Sequence, residues 1–416
     1  MTQNPIETTS AELALWLERI NQLDPSRVEL GLSRIRAVLP RLNLSHDAIT
    51  VTVAGTNGKG SSVYWLDGFL RRMNYRVGRY TSPHLWRFNE RIAIDNEVVS
   101  DATLVRAFEV VAAARQGVEL TYFEFTTLAA LWVFADAKVD VQVLEVGLGG
   151  RLDAVNAVIP DACLLTGVDY DHQRWLGDTL DSIGREKAGI FRTSVPAVIA
   201  MAQPPDGVLE VATTVGADIW LRGRDFDLDG CIYRGRDRKL TLAPLNDSVS
   251  EELFVGVLAT LESLGLLVRL TEQDLVAVQQ LRPPGRLEQL DRSPTVLLDV
   301  AHNPQSVERL ATWLSRHPVN AETTLVFGAM RDKPVEQMLK QLAGVVHRWV
   351  AVGADGSRAL PPKEMASLMA RVSGKAGLVG GTPVAGYNAA LAATDPEGRI
   401  VVAGSFPVVG AVRAAL

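Results

Sequence analysis

The run Val51-Thr52-Val53-Ala54-Gly55-Thr56-Asn57-Gly58-Lys59-Gly60-Ser61-Ser62 narrows the folds open to this chain more than any other segment. Residues that favour β-structure lead into a glycine turn. The turn delivers one lysine and two hydroxyls to the start of a helical pattern, in which Val63, Leu66, Phe69 and Leu70 recur on one face. A turn of this kind suits anionic oxygens. Glycines let backbone N–H groups approach closely, and the helix N-terminus adds partial positive charge. Lys59 is placed to neutralise terminal phosphates and Ser61 to ligate Mg²⁺. The spacing departs from GxxxxGK[ST], because Gly60 separates Lys59 from the hydroxyls. Such a loop by itself does not choose between a kinase, a motor ATPase and a ligase.

The surrounding sequence alternates strand and helix. Ala11 to Ile20 reads as an amphipathic helix, Ile49 to Ala54 as a strand and Ser61 to Met73 as a helix. Val139 to Val146 and Ala162 to Val168 are apolar strands, and Phe125 to Ala135 is a helix. This order predicts an α/β fold with a mostly parallel sheet covered on both faces. A second run of the same kind starts near Thr295, with strands in VLLDVA, TLVFGAM, RWVAVGA and RIVVAGS and helices over Gln305 to Leu314 and Pro334 to Leu342. A chain of 416 residues is too long for one ordinary core. Arg282-Pro283-Pro284-Gly285 reads as a hinge, so the expected domains are 1–284 and 285–416. Residues 203–250, rich in Gly, Asp and Arg, read as short strands and loops.

Hydrophobic residues make up 47% of the chain and charged residues 22%, with a net charge of -6. There is no basic stripe of the kind a nucleic-acid partner requires. Cys163 and Cys231 form no CxxC pair, which argues against a disulfide framework or a thiolate metal site. No uncharged apolar stretch is long enough to span a bilayer, and the N-terminal residues lack the pattern of a signal peptide. These features predict a cytoplasmic protein.

Candidate chemistry gathers after the strands. Glu145 ends an apolar strand and is followed by GLGGRLDA; carboxyl ends of strands are where open α/β sheets bind ligands. It reads as an Mg²⁺ ligand or as a capping or ion-pairing carboxylate. Asp171-His172 follows the next strand, and His172 serves either as a neutral imidazole ligand or structurally. Lys187, in REKAGI, is by default a solvated cation, with an active-site role left open by its position after His172.

GTNGKGS, TSPHL at Thr81 to Leu85, EVGLGGRLDAVN at Glu145 to Asn156, DH at Asp171-His172, EKAGI at Glu186 to Ile190, PGR at Pro284 to Arg286 and DVAHNP at Asp299 to Pro304 occur in that order. Together they closely resemble the dihydrofolate synthase/folylpolyglutamate synthase family of the Mur-ligase-like superfamily. The resemblance spans nearly the whole chain. It implies an N-terminal P-loop ATPase-like domain and a smaller Rossmann-like C-terminal α/β domain. It further implies ATP and two Mg²⁺ sites, with Asn57, Gly58, Lys59 and Gly60 as the nucleotide-phosphate loop. Ser82 and Glu145 resemble the first Mg²⁺ site and His172 the second, while Lys187 matches a lysine that is N6-carboxylated in the family. Thr121, Tyr122, Phe123 and Glu124, with Leu152, Asp153 and Ala154, resemble the dihydropteroate-binding segments. Arg286 and Asp299 match nucleotide contacts, and His302 and Ser405 lie in segments resembling the amino-acid site. Family members tend to carry an asparagine on the nucleotide where this chain has Leu253, with Asn246 nearby but out of register.

The implied reaction activates a carboxylate as an acyl phosphate and joins it to the amine of L-glutamate. The acceptors would be dihydropteroate and reduced folates, with Lys59, Lys187 and His172 as the residues closest to the chemistry. Tyr122 and Phe123 suit a flat pterin ring. No nucleic-acid or membrane partner is expected, and the expected state is a monomer. A Mur ligase acting on a UDP-muramoyl peptide fits less well, since its loop would read GTNGKTS and follow a separate N-terminal domain. A non-catalytic nucleotide-binding regulator fits poorly with the presence of Lys59, Glu145, His172 and Lys187.

Overall fold

The computed structural model describes residues 9–23, 29–44, 47–245, 250–267, 270–354, 356 and 358–416. The chain forms two compact units. One comprises residues up to Ser82 together with Phe88–Leu281, and the other comprises Pro83–Arg87 together with Arg282–Leu416. The short strap Pro83–Arg87 has no counterpart in the sequence reading, which treats the first domain as contiguous.

The first unit is built on eight strands: β1 (Ile49–Ala54), β2 (Val77–Tyr80), β3 (Ile92–Ile94), β4 (Glu97–Val98), β5 (Val141–Glu145), β6 (Ala162–Leu165), β7 (Pro196–Ile199) and β8 (Asp218–Leu221), in the spatial order β4-β3-β2-β5-β1-β6-β7-β8. All neighbours from β2 to β8 are parallel, and β3 and β4 add an antiparallel edge. The central strands are apolar on both sides because both faces are covered. Val51, Val53, Val143 and Leu164 face one core, which includes Phe69 and Phe254; Ala54, Leu144 and Leu165 face the other. The helix Lys59–Arg72 buries Val63, Leu66, Phe69 and Leu70, the face its spacing predicts. Phe69 is fully buried, which stabilises the fold by about 1.5–3 kcal/mol.

The stretch expected to hold only short strands and loops contains a ten-residue helix, Asp206–Val215. It packs on the helix Leu180–Ala188 through Val208, and Gly207 sits directly against the Asp181 carbonyl. Its small residues serve helix–helix approach, and that use hid the helix in the composition. Three short strands follow, β9 (Asp227–Asp229), β10 (Ile232–Arg234) and β11 (Lys239–Thr241), forming their own antiparallel sheet.

The second unit carries β12 (Glu288–Leu290), β13 (Thr295–Asp299), β14 (Thr323–Phe327), β15 (Arg348–Val352), β16 (Leu378–Gly381) and β17 (Arg399–Ala403), ordered β12-β13-β17-β14-β15-β16. Only β12 is antiparallel to its neighbour. Leu297, Leu325 and Val401 face one core, while Val296, Leu298, Val326 and Val402 face the other. No helix among the described residues is long and apolar enough to cross a membrane.

Candidate active site

In the first unit the phosphate loop, Ser82, Glu145 and His172 lie at or just after the carboxyl ends of four adjacent parallel strands, β1, β2, β5 and β6. The loop after β1 is held by its neighbours. Thr166 Oγ1 donates to the Asn57 carbonyl at 2.7 Å, and Thr56 N donates to the Gly167 carbonyl at 2.9 Å. Thr56 Oγ1 accepts from Asp169 N at 3.0 Å. The phosphate-loop conformation is thereby tied to the segment that leads to His172. Thr56 and Thr166 were missed as site residues in the sequence, because neither hydroxyl stands in a recognisable spacing to the other. Lys59 folds back on its own loop, with Nζ 3.0 Å from the Gly55 carbonyl and 3.3 Å from that of Thr56.

Gly58 caps the helix Lys59–Arg72 at φ +84, a conformation L side chains rarely adopt. A Cβ there would also lie 2.3 Å from Leu253 Cδ1. Leu253, in the first turn of the helix Glu251–Ser263, therefore presses an apolar side chain against the loop. Asn246 lies outside the described residues.

Ser82 N donates to Glu145 Oε2 at 3.1 Å, and that oxygen lies 3.7 Å from where a Cβ on Gly60 would be. The strand-end serine, the buried Glu145 and the last loop glycine thus meet at one point. His172 lies after β6 in the left-handed region at φ +51, its Nε2 3.8 Å from Asp171 Oδ2. Among the described residues no three His, Cys, Asp or Glu side chains converge to enclose a metal by themselves. A hydroxyl, a carboxylate and an open remainder fit Mg²⁺, which keeps water and phosphate oxygens in its shell.

Lys187, on the helix Leu180–Ala188, is 4% exposed and is not the solvated cation its type suggests. Burial pushes its amine down to about 7; Lys59 pushes the same way, and Asp171 and Asp153 oppose. Its sequence neighbour Glu186 is engaged by Arg151 at 2.8 Å. Asp153 is also buried and is pushed up to about 6 by burial, against hydrogen bonds from Leu148 N and Val155 N and the charge of Lys59. Lys59, Lys187, Asp153 and Asp171 therefore share one electrostatic neighbourhood. Leu152 is half-buried and Ala154 buried beside Asp153.

The Thr121–Glu124 segment divides. Thr121 and Glu124 form a reciprocal capping box at the start of the helix Tyr122–Asp136, and Arg34 Nε pairs with Glu124 at 2.9 Å. Tyr122 is buried, edge-on to Phe88 and 5.5 Å from the Arg91 guanidinium. Phe123 instead covers Gly147, where a Cβ would lie 2.6 Å from the ring. The two aromatics do not form one platform, and only Phe123 sits on the turn that follows Glu145.

In the second unit Asp299, at the end of β13, accepts from Leu287 N and Ala301 N, both at 2.8 Å. Burial raises its carboxyl, and the Arg286 charge offsets this. Arg286 lies 5.3 Å from the Phe406 ring. His302 is held by its ring nitrogen Nδ1 at 2.9 Å from the Val300 carbonyl, and Ser405 donates to the Gly328 carbonyl at 2.9 Å. His302 and Ser405 line one cavity of about 410 Å³, together with His84, Lys333 and Arg358. Among the described residues that line it, none is acidic. His84 lies in the TSPHL motif, where only Ser82 is given a role; Lys333 and Arg358 are lone cations in loops, without periodicity or motif spacing.

The chain is 36% identical over 412 residues to the dihydrofolate synthase/folylpolyglutamate synthase of Escherichia coli strain K12, covering 97% of this chain and 95% of that protein. The chain belongs to the dihydrofolate synthase/folylpolyglutamate synthase family. Residues 285–406 match the family described as Mur ligase, glutamate ligase domain. Escherichia coli FolC in complex with DHPP and ADP superposes with a TM-score of 0.90 at 33% identity, over 99% of each chain. The bifunctional folylpolyglutamate synthase/dihydrofolate synthase of Yersinia pestis, complexed with AMPPNP and Mn ion, gives 0.87 at 34% identity, over 100% of this chain and 99% of that one.

Proposed function

We propose that the chain is an ATP-dependent ligase that adds L-glutamate to dihydropteroate, giving dihydrofolate, and to reduced folates, giving folylpolyglutamates. The observation that carries this reading is the meeting of the Lys59 loop, the Ser82–Glu145 pair and the buried Lys187 in one strand-end site of a chain from this family. A carboxylate is a poor acyl donor. Its oxygen attacks the γ-phosphorus of ATP, giving an acyl phosphate and ADP; the glutamate amine then attacks the acyl carbon, and phosphate and a proton leave. Two anions meet in the first step. Lys59 and the backbone N–H groups of Asn57, Gly58 and Gly60 screen that charge. Ser82 and Glu145 would hold one Mg²⁺ and His172 a second, and the bound ions would supply Lewis-acid charge neutralisation. The neutral Lys187 amine takes up CO₂ as a carbamate, releasing one proton, and so becomes an anionic oxygen donor. Arg286 and Asp299 contact the nucleotide. Phe123, with Leu152, Asp153 and Ala154, borders the pterin-bearing substrate, while Thr121, Tyr122 and Glu124 shape that wall. A monomeric, cytoplasmic enzyme of folate metabolism is part of the proposal.

The cavity of the second unit suits glutamate. Lys333 and Arg358 supply charge for two carboxylates, His302 and Ser405 border it, and the N-terminus of the helix Phe406–Ala415 adds partial positive charge. Loss of one charge-assisted hydrogen bond costs about 10–100-fold in affinity. Lys333→Ala and Arg358→Ala are each expected to raise the KM for glutamate by that order while leaving the KM for ATP near its original value. An unchanged KM for glutamate in both variants would move the amino acid elsewhere. The function as a whole is tested by ADP release with ATP, Mg²⁺ and L-glutamate, using dihydropteroate and a reduced folate as alternative acceptors. Both should support turnover; turnover with the folate alone would remove the dihydrofolate synthase half.

A further inference from the structure

The strap Pro83–Arg87 is packed into the second unit although Ser82, one peptide bond before it, belongs to the first. Its seating is specific. Leu85 is 8% exposed and joins the core of Val300, Val402 and Val408. Its backbone carbonyl lies so close to the helix Phe406–Ala415 that a Cβ on Gly410 would come within 1.9 Å of the oxygen. Only glycine allows that approach, since the obstacle is backbone that has no rotamer to change. On the far side of Leu85, Arg413 lies 5.2 Å from the Trp86 ring and is itself fixed by Glu288 at 2.8 Å. With Leu85 and Trp86 held, the adjacent His84 has its place set at the cavity shared with His302, Lys333, Arg358 and Ser405.

We propose that Pro83–Arg87 is the specificity strap of the amino-acid pocket, seated by Gly410 and Leu85, with the His84 imidazole N–H donating to a carboxylate of the incoming amino acid. This rests on the reading that the pocket receives glutamate. The described lining offers Lys, Arg and His donors, which favour an acceptor-only carboxylate over an amide, whose NH₂ would face donors. His84 therefore contributes to choosing glutamate over glutamine as well as to affinity. Gly410 does not line the cavity and acts only through the strap, as a positioning residue.

The test is steady-state kinetics on the full-length chain, with glutamate and glutamine as alternative amine donors. His84→Ala should raise the KM for glutamate by about 10–100-fold, the loss of one hydrogen bond to a charged group, and narrow the preference over glutamine. The kcat and the KM for ATP should change little. His84→Gln, which keeps an N–H donor, should recover part of the loss. Gly410→Ala should raise the KM for glutamate in the same direction; if that variant does not fold, Trp86→Ala, at a 38% exposed position, reads the same seating. A normal KM in His84→Ala, while Lys333→Ala raises it, overturns the strap proposal and leaves the pocket reading intact. Normal values in the His84, Lys333 and Arg358 variants together overturn the pocket reading itself. A lowered melting temperature in Gly410→Ala with an unchanged KM for glutamate would make the glycine a packing residue and overturn its role in seating the strap.

Discussion

Lys59→Ala is expected to abolish glutamate ligation while leaving the fold in place. The side chain joins no core cluster, and its Nζ bonds carbonyls of its own loop. Its loss leaves the sheet, the helix Lys59–Arg72 and the Thr166 and Thr56 contacts to the loop intact. What is lost is the compact positive charge beside the transferring phosphoryl group. Removing one such electrostatic stabiliser costs about 10²–10³-fold in kcat, and here two anions must meet, so the loss should reach at least that. Lys59→Arg should not rescue fully, because a planar fork does not replace a point charge in a close-fitting loop. ADP release and a thermal melt, run side by side, check both halves. A variant with near-normal turnover would take the loop lysine out of the mechanism. Lys59 also helps to hold the Lys187 amine down, so Lys59→Ala should raise the Lys187 value as well.

Lys187→Ala is the second large effect. Carbamate formation needs a neutral amine. An ordinary lysine near 10.4 is neutral in roughly one molecule in 10³ at pH 7, whereas burial brings Lys187 to about 7, where half the molecules are neutral. The fall in activity should be about 10²-fold, the scale of losing a group that orients a metal site. Small carboxylic acids should restore part of it by supplying oxygens in the vacated space. In the parent protein, carbon-13 bicarbonate should give a carbamate NMR signal that grows as pH rises through about 7 and is missing from the variant. Stability carries the matching sign. The folded value lies below the unfolded one, so between about 7 and 10.4 the unfolded chain binds more protons. The contribution of Lys187 to stability then rises with pH across that window and is flat below it. Lys187→Met should lose that slope. A Lys187 that stays an unmodified amine under bicarbonate with nucleotide bound, or a fully active Lys187→Ala, would contradict the assignment.

The parts of the site legible in the sequence are those with local grammar. The β1 strand, its glycine turn and the apolar face of the following helix lie within one short segment, and each strand-end residue, Glu145 or Asp299, closes an apolar run. Lys187 was legible in position but not in state, because only the three-dimensional packing of the helix Leu180–Ala188 removes it from water. Thr121 and Glu124 carry a T-x-x-E spacing that already reads as a capping box; the family resemblance drew attention to ligand binding there, and the structure shows the cap. The pairing of Thr166 with Asn57 spans more than a hundred residues, and the seat of Leu85 against Gly410 more than three hundred. No periodicity reaches that far. Lys333 and Arg358 are single cations in loops, and only the shape of a cavity distinguishes them from solvated surface charge.

The acyl phosphate is the intermediate on which the mechanism turns, and one isotope measurement addresses it directly. Dihydropteroate labelled with oxygen-18 in its carboxylate is turned over with ATP, Mg²⁺ and L-glutamate, and the inorganic phosphate is analysed by mass. If the carboxylate oxygen attacks the γ-phosphorus, one labelled oxygen should leave with each phosphate released, in step with dihydrofolate formed. Phosphate carrying no label, at normal turnover, would contradict an acyl phosphate and with it the roles of Lys59, Glu145 and Lys187 in forming one.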